Sequence, residues 1–456
     1  MAAVLAVAAP LGLAGFPLPT GAEVFAGKPS PAVTADAAIL VDARTGEILY
    51  SKDIHKKEYP ASTTKIMTAL LALENLELNE IVTVDDKSPY TKGSKIALNP
   101  GEEVSVEELL YCTLIPSAND AAEALAVRVS GSLESFAALM NKRAKELGAQ
   151  DTHFVNPSGL ESEEHVTSAF DLAMFARAAM KDERFRHFVS TYSYTMAPTN
   201  KQPQERLMHN TNRLLYDGTH KVTYEGAPRP IKYEGVTGIK TGYTAQAGYC
   251  LVAGARRDGT ELIAVLMRSA SDNARYLDAI SLLEYGFSNY RTTLGVAAGT
   301  TAGALGADSG DGSGTTGAAL GVEAYVAEDV WLTLPLDASQ ADLEREVDLP
   351  PLETAVDKGA KVGVMTLKYQ GVALAQADLL ASEAAEPVGG VGGGSLGRTV
   401  LTVARNVFLV LLALFVLLVF AYVMLKRRQL RLKRMRRAER KARMEREARD
   451  LRDLRR

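Results

Sequence analysis

Ser62 and Lys65 stand three residues apart in "PASTTKIMTALLALE" (Pro60–Glu74), at the opening of an apolar periodic stretch. On a helix that spacing puts both side chains on one face. A serine hydroxyl is a weak nucleophile until a base stands beside it, and a neutral lysine amine can be that base. A helix start disfavours a cation, so the position that looks wrong for a lysine lowers its hold on a proton. Alone, Ser62 is equally well explained as a helix cap. Two further segments carry suitable side chains. "LIPSAND" breaks two apolar helices at Pro116 and leaves Ser117 and Asn119 on a short loop, because proline donates no backbone hydrogen bond and unbends its predecessor. Either residue could serve only as a cap. "GIKTGYT" sets Lys240, Thr241 and Gly242 just before, or within, an apolar strand. Gly242 would let another chain or a ligand approach the backbone there; the plainer account is a surface lysine and a turn glycine.

The elements that must position these residues are legible in outline. "VTADAAILVDARTGEILY" reads as two strands around Ala43–Gly46. Helical patterns follow at Ser62–Leu76, Ser105–Leu114, Asp120–Val129, Leu133–Leu147 and Thr167–Met180, with Gly148 closing the fourth. "GYCLVAGARRDGTELIAVLM" is a hairpin turning at "RRDG", and a helix at Ala274–Tyr285 follows. Strands at both ends with helices between predict an α+β domain around one antiparallel sheet, over residues 33–290. Residues 291–385 carry short strand-like runs, "VWLTLPL" and "KVGVMTLKYQGVALAQ", and predict a small β-rich domain with a flexible low-complexity insertion at 298–321.

The termini differ in kind. Residues 1–32 resemble the apolar part of an export signal, although no Lys or Arg precedes Lys28. A Gly-rich linker (386–398) leads to a candidate transmembrane helix (399–425), whose centre Val407–Leu425 is 19 residues without a charge. Between Lys426 and Arg456 there are 16 basic and 5 acidic residues, whereas residues 1–425 carry 35 basic and 50 acidic. That division predicts a single span, an extracytoplasmic body and a basic cytoplasmic tail (426–456), and it argues against nucleic acid as a partner. Cys112 and Cys250 allow one bridge or, more simply, two buried thiols. The six histidines are scattered and no Cys/His cluster has zinc-ligand spacing, so neither metal nor cofactor is expected.

Taken together, Ser62-Thr63-Thr64-Lys65, Ser117-Ala118-Asn119 and Lys240-Thr241-Gly242 match, in order, the S-x-x-K, S-x-N and K-T-G set of serine penicilloyl-enzymes. With "GSKIALNPGEEVSVEELLYCTLIPSANDAAEALA" and "LGAQDTHFVNPSGL", the chain resembles the low-molecular-weight penicillin-binding proteins that are D-alanyl-D-alanine carboxypeptidases. The resemblance runs from about Ala38 to Tyr290 and more weakly to Leu380. It implies a β-lactamase/transpeptidase-like domain and a substrate ending in D-Ala-D-Ala, the stem peptide of peptidoglycan, with β-lactams trapped as acyl-enzymes. It implies Ser62 as nucleophile, Lys65 as base, and Ser117 bridging Lys65 and Lys240 to protonate the leaving amine. Asn119 would orient the substrate amide and the lysines. Lys240, Thr241 and Arg275 would hold the terminal carboxylate, with Gly242 lining the strand and the backbone N–H groups of Ser62 and Tyr243 forming the oxyanion hole. Two rivals share these motifs: a β-lactamase using one of Glu161, Glu163 or Glu164 to activate water, and a non-catalytic penicilloyl sensor or cell-wall scaffold.

Overall fold

The computed structural model describes residues 29–305, 322–350 and 354–385. The export-like segment up to Lys28, the linker, the candidate span and the tail lie outside them. Among the described residues no helix is long and apolar enough to cross a membrane.

Strands β1 (Ala37–Asp42) and β2 (Ile48–Lys52) form the expected hairpin, with Gly46 at φ +82° in its turn. After a 3₁₀ turn at Ala61–Thr64 comes helix α1 (Lys65–Asn75). A short ribbon, β3 (Ile81–Thr83) and β4 (Glu103–Ser105), leads to α2 (Val106–Leu114), α3 (Asn119–Ser130), α4 (Leu133–Glu146), α5 (Ala169–Ala179) and α6 (Glu183–Ser190). The starts of α2, α4 and α5 are set by Ser105, Ser132 and Ser168, whose hydroxyls accept from backbone N–H groups of the first turn. Two ribbons follow, β5 (Ser193–Met196) with β6 (Arg206–His209), and β7 (Lys221–Tyr224) with β8 (Ala227–Pro230). The chain then re-enters the main sheet as β9 (Val236–Thr244), β10 (Gly248–Arg257) and β11 (Thr260–Ser269), and closes with α7 (Asp272–Asn289). The β10–β11 turn is the predicted one: Asp258 and Gly259 both have positive φ, +48° and +83°, as a two-residue hairpin turn of the matching twist requires.

The main sheet has the order β2-β1-β11-β10-β9 and is antiparallel throughout. Its central strands are apolar on both faces. Ile39, Val41, Ile263 and Val265 join the core under the α1–α6 cluster, while their neighbours Leu40, Leu262 and Ala264 join the core under α7. This alternation places the sheet between two helical layers and leaves β9 as the edge that meets the Ser62 turn.

The β-rich C-terminal domain follows. It pairs β12 (Tyr290–Val296) with β15 (Val330–Pro335), and builds a sheet β13-β14-β18-β17-β16 from β13 (Thr301–Leu305), β14 (Val322–Val326), β16 (Leu343–Asp348), β17 (Lys361–Tyr369) and β18 (Val372–Ala381). The insertion expected at 298–321 is therefore strand over Thr301–Leu305: this run of small residues is held by pairing with β14. The domain joins the first through Asp42. Its Oδ1 accepts from the backbone of Arg44 and Thr45 at 2.8 and 3.0 Å, and its Oδ2 from the hydroxyls of Thr292 and Thr333 at 2.5 and 2.9 Å. Cys112 and Cys250 are both buried and free.

Candidate active site

Ser62 is not a cap. It lies half-exposed on the 3₁₀ turn before α1, and neither the turn nor the helix is capped by a side chain. Ala61, before it, has φ +48°, and the Thr63 hydroxyl donates to the Pro60 carbonyl at 2.7 Å. These contacts fix the direction in which Ser62 leaves the backbone.

Lys65 begins α1 and is fully buried. Its Nζ has three oxygen neighbours: Ser62 Oγ at 2.9 Å, Asn119 Oδ1 at 2.7 Å and the Ser158 carbonyl at 2.7 Å. The last two can only accept. A neutral amine gives them its two N–H bonds, and its lone pair is left to receive the Ser62 hydroxyl proton. An ammonium would point its third N–H at Ser62 instead and block that transfer. Burial, and then the charge of Lys240, hold Lys65 well below the usual lysine range, against a weaker opposing pull from Glu123 and Asp120.

The α2–α3 loop presents Ser117 with φ +66°. Its hydroxyl is buried and has no hydrogen-bond partner among the described residues. The bridge expected between Lys65 and Lys240 is thus not formed: Lys65 Nζ is taken up by three oxygens, and Lys240 Nζ donates to the Thr241 carbonyl at 3.1 Å. Asn119 is the first residue of α3 but caps nothing with its side chain. Its Oδ1 serves Lys65, and its Nδ2 donates to the Lys92 carbonyl at 2.6 Å.

On β9, Lys240 and Thr241 are buried. Burial, then Arg275, pushes Lys240 down to about 7. Gly242 is where the strand and the Ser62 turn meet: a Cβ there would lie 2.9 Å from the Pro60 carbonyl and 3.3 Å from the Ser62 nitrogen. Tyr243 is exposed, its ring 4.6 Å from that of Tyr249. Arg275, near the start of α7, reaches back under β9. It donates to the Gly242 carbonyl at 3.2 Å and to the Tyr276 hydroxyl at 3.2 Å, and pairs with Asp272 at 2.5 Å.

Four contributors, Ser158, Gly159, Thr211 and His165, carried no signal of their own. Ser158 acts through its backbone carbonyl. That carbonyl is held by Asn156, whose Oδ1 accepts from the N–H groups of Ser158, Gly159 and Leu160 at 3.2, 2.8 and 3.1 Å. Gly159 (φ +82°) lets this loop touch the turn, since a Cβ would sit 1.8 Å from the Ala61 carbonyl. Thr211 shares a 2.6 Å hydrogen bond with Thr241. His165 is buried; its Nδ1 accepts from the Val155 N–H at 3.0 Å, so Nε2 carries the proton and donates to Thr64 Oγ1 at 2.9 Å. Burial, then His153 and Lys65, pushes it down to about 3. Glu161, Glu163 and Glu164 are exposed, and among the described residues Glu161 accepts from the Gln246 N–H at 3.4 Å.

Fold and site define a transpeptidase-like α+β domain carrying a serine within hydrogen-bond distance of a buried lysine. Residues 24–271 match the family described as D-alanyl-D-alanine carboxypeptidase, and residues 292–387 match the penicillin-binding protein 5 C-terminal domain. The D-alanyl-D-alanine carboxypeptidase DacF of Bacillus subtilis is 33% identical over 356 residues, 76% of this chain and 85% of that protein. A D-alanyl-D-alanine carboxypeptidase from Streptomyces is 36% identical over 273 residues, 57% of this chain and 89% of that one. The solved penicillin binding protein 5 from Haemophilus influenzae superposes with a TM-score of 0.66 at 29% identity, over 79% of this chain and 100% of that chain. The chain belongs to the D-alanyl-D-alanine carboxypeptidase family.

Proposed function

We propose that this protein is a serine-type D-Ala-D-Ala carboxypeptidase acting on peptidoglycan stem peptides and acylated by β-lactams. The observation that carries the mechanism is the 2.9 Å contact of the buried Lys65 Nζ with Ser62 Oγ, the other two neighbours of that nitrogen being oxygens that only accept. Ser62 Oγ attacks the carbonyl carbon of the penultimate D-alanine while its proton passes to Lys65. The backbone N–H groups of Ser62 and Tyr243 receive the oxyanion, a role supported by the close approach of Gly242 to the Ser62 nitrogen. The C–N bond breaks as the departing D-alanine amine takes the proton that Lys65 received from Ser62, relayed by the Ser117 hydroxyl once it turns to Lys65; that hydroxyl has no other partner among the described residues. Lys240, Thr241 and Arg275 hold the terminal carboxylate, and Asn119 steers Lys65 and the substrate amide. Water then cleaves the acyl-Ser62 ester and releases the shortened peptide.

The candidate span at 399–425 anchors the protein, with the body outside and the basic tail inside the cytoplasm; the charge-free stretch and its basic flank support this. A reporter fused after Arg456 is expected to be active only if it folds in the cytoplasm. Glu161, Glu163 and Glu164 are exposed, and Glu161 accepts from the Gln246 N–H, which lends the lactamase reading no support.

Incubation with a pentapeptide ending in D-Ala-D-Ala should release D-alanine from the wild type and none from Ser62→Ala. Equal release by both would overturn the assignment, and penicilloyl turnover within seconds would favour the lactamase.

A further inference from the structure

At the other end of the main sheet lies a pocket of about 330 Å³ that the peptidase reaction does not use. It opens where the β1–β2 turn, the α5–α6 junction and the β10–β11 turn meet. Along β10, Tyr249 pairs with Tyr243 at the cleft, and Arg256 lies seven residues farther on, which is about 23 Å at the strand rise.

Its lining is dominated by cations: Arg44, Arg177, Lys181, Arg186 and Arg256, against Glu183 and Glu261. Both acids are already engaged, and by the same arginine. Arg186 grips Glu261 with two parallel bonds of 2.7 and 2.9 Å, and Glu183 stands 3.7 Å from its Nε. The other four cations form no ion pair within 4.0 Å among the described residues. Two of them are fixed in place. Arg177 donates to the carbonyls of Ala43 and Arg44 at 3.1 and 3.2 Å, and Gly46 makes room for it, since a Cβ there would lie 2.5 Å from Nη1. The Arg44 guanidinium lies 4.0 Å over the ring of Trp331. Such pre-positioned guanidiniums suit a multi-oxygen anion better than a point charge, and the pocket exceeds what a bare phosphate fills.

We propose that this pocket binds a phosphate ester, with the phosphoryl oxygens between Arg44, Arg177, Lys181 and Arg256 and the organic part in the remaining volume. The ester could be soluble or the headgroup of an anionic lipid; the chemistry of recognition is the same.

The chain supplies its own probe, because Trp331 is its single tryptophan and carries Arg44 on its face. The detergent-solubilised full chain is titrated at constant ionic strength with glycerol 3-phosphate, with phosphatidylglycerol in mixed micelles, and with sodium sulfate, while Trp331 emission is followed. A saturable change with either ester is expected. Glycerol 3-phosphate alone assigns a soluble ester, and phosphatidylglycerol alone a lipid headgroup. The double substitution Lys181→Glu with Arg256→Glu, at two exposed positions, should weaken binding at least tenfold and leave D-alanine release unchanged. No saturable response to either ester, sulfate binding as tightly as the esters, or undiminished binding by the double variant each overturns the proposal.

Discussion

Replacing Asn119 by aspartate tests the protonation state of Lys65. The change is nearly isosteric, but it puts a carboxylate where an amide oxygen now sits 2.7 Å from Lys65 Nζ. At that separation and an effective dielectric constant of about 20, the attraction is about 6 kcal/mol. Burying the new carboxylate offsets several kcal/mol of it, and each pH unit is worth about 1.4 kcal/mol. The proton affinity of Lys65 should therefore rise by about two pH units. A held proton leaves Ser62 without a base, and the penalty grows tenfold per unit. Acylation by a fluorescent penicillin, followed from about pH 5 to about pH 10, should show the acid limb of Asn119→Asp displaced upward by about two units, which is about a hundredfold lower rate at any pH where both proteins are on that limb. Asn119→Ala serves as control: it loses both amide contacts and should be slower without an upward displacement. Unfolding midpoints establish that both variants fold. An acid limb for Asn119→Asp within about 0.3 units of the wild type would refute the reasoning, because Lys65 would then not be the base that the rate reports.

Four further outcomes are expected. Gly159→Ala puts a Cβ 1.8 Å from the Ala61 carbonyl at φ +82°, so the loop must move and take the Ser158 carbonyl from Lys65; acylation should fall by about two orders of magnitude, consistent with misplacement by about 1 Å. Lys240, pushed down to about 7, is an ammonium below that pH and an amine above it, so KM for the pentapeptide should rise as pH passes through about 7. Arg275→Leu removes the neighbouring cation and should raise KM at every pH while moving that limb upward; an unmoved limb in a KM–pH profile would count against the pairing. Glu47 is buried, and burial followed by Asp42 raises it from 4.5 to about 7. Folding thus favours its neutral form: its contribution is intact below about pH 4.5 and is lost as pH rises through about 7, a span of about 3 kcal/mol. In urea unfolding, Glu47→Gln should gain stability over the wild type near pH 8 and lose that advantage near pH 5.

The candidate site was legible because it rests on side-chain types at fixed spacings: a serine and a lysine one turn apart, and a proline-broken loop. The sheet core was equally legible, since the buried strands are unbroken apolar runs. What escaped has physical reasons. The Ser158 carbonyl is a backbone atom and leaves no residue-type trace; only the turn chemistry of "NPSGL" could have pointed to it. Helix α6 has only eight residues, too few for the spacing of Phe185, Phe188 and Val189 to repeat, and the ribbons β5–β8 are four-residue strands with little burial. Strand β13 is written in Thr, Ala, Gly and Leu and is a strand only because β14 pairs with it. Helix α7 runs from Asp272 to Asn289, beyond the expected Ala274–Tyr285, because Ser271 caps it earlier by accepting from the Ala274 N–H.

The junction at Asp42 has a mechanical consequence. One carboxylate, fully buried, takes hydroxyls from β12 and β15 while closing the turn that ends β1. Prising the β-rich domain away would strand a charge with too few donors, so the junction resists hinging. A force applied to that domain therefore does not dissipate in a flexible joint. It would reach β1 through Asp42 and β11 through the bond from the Thr292 N–H to Thr260 Oγ1, and β10 links these strands to β9, the strand that forms one wall of the cleft beside Ser62.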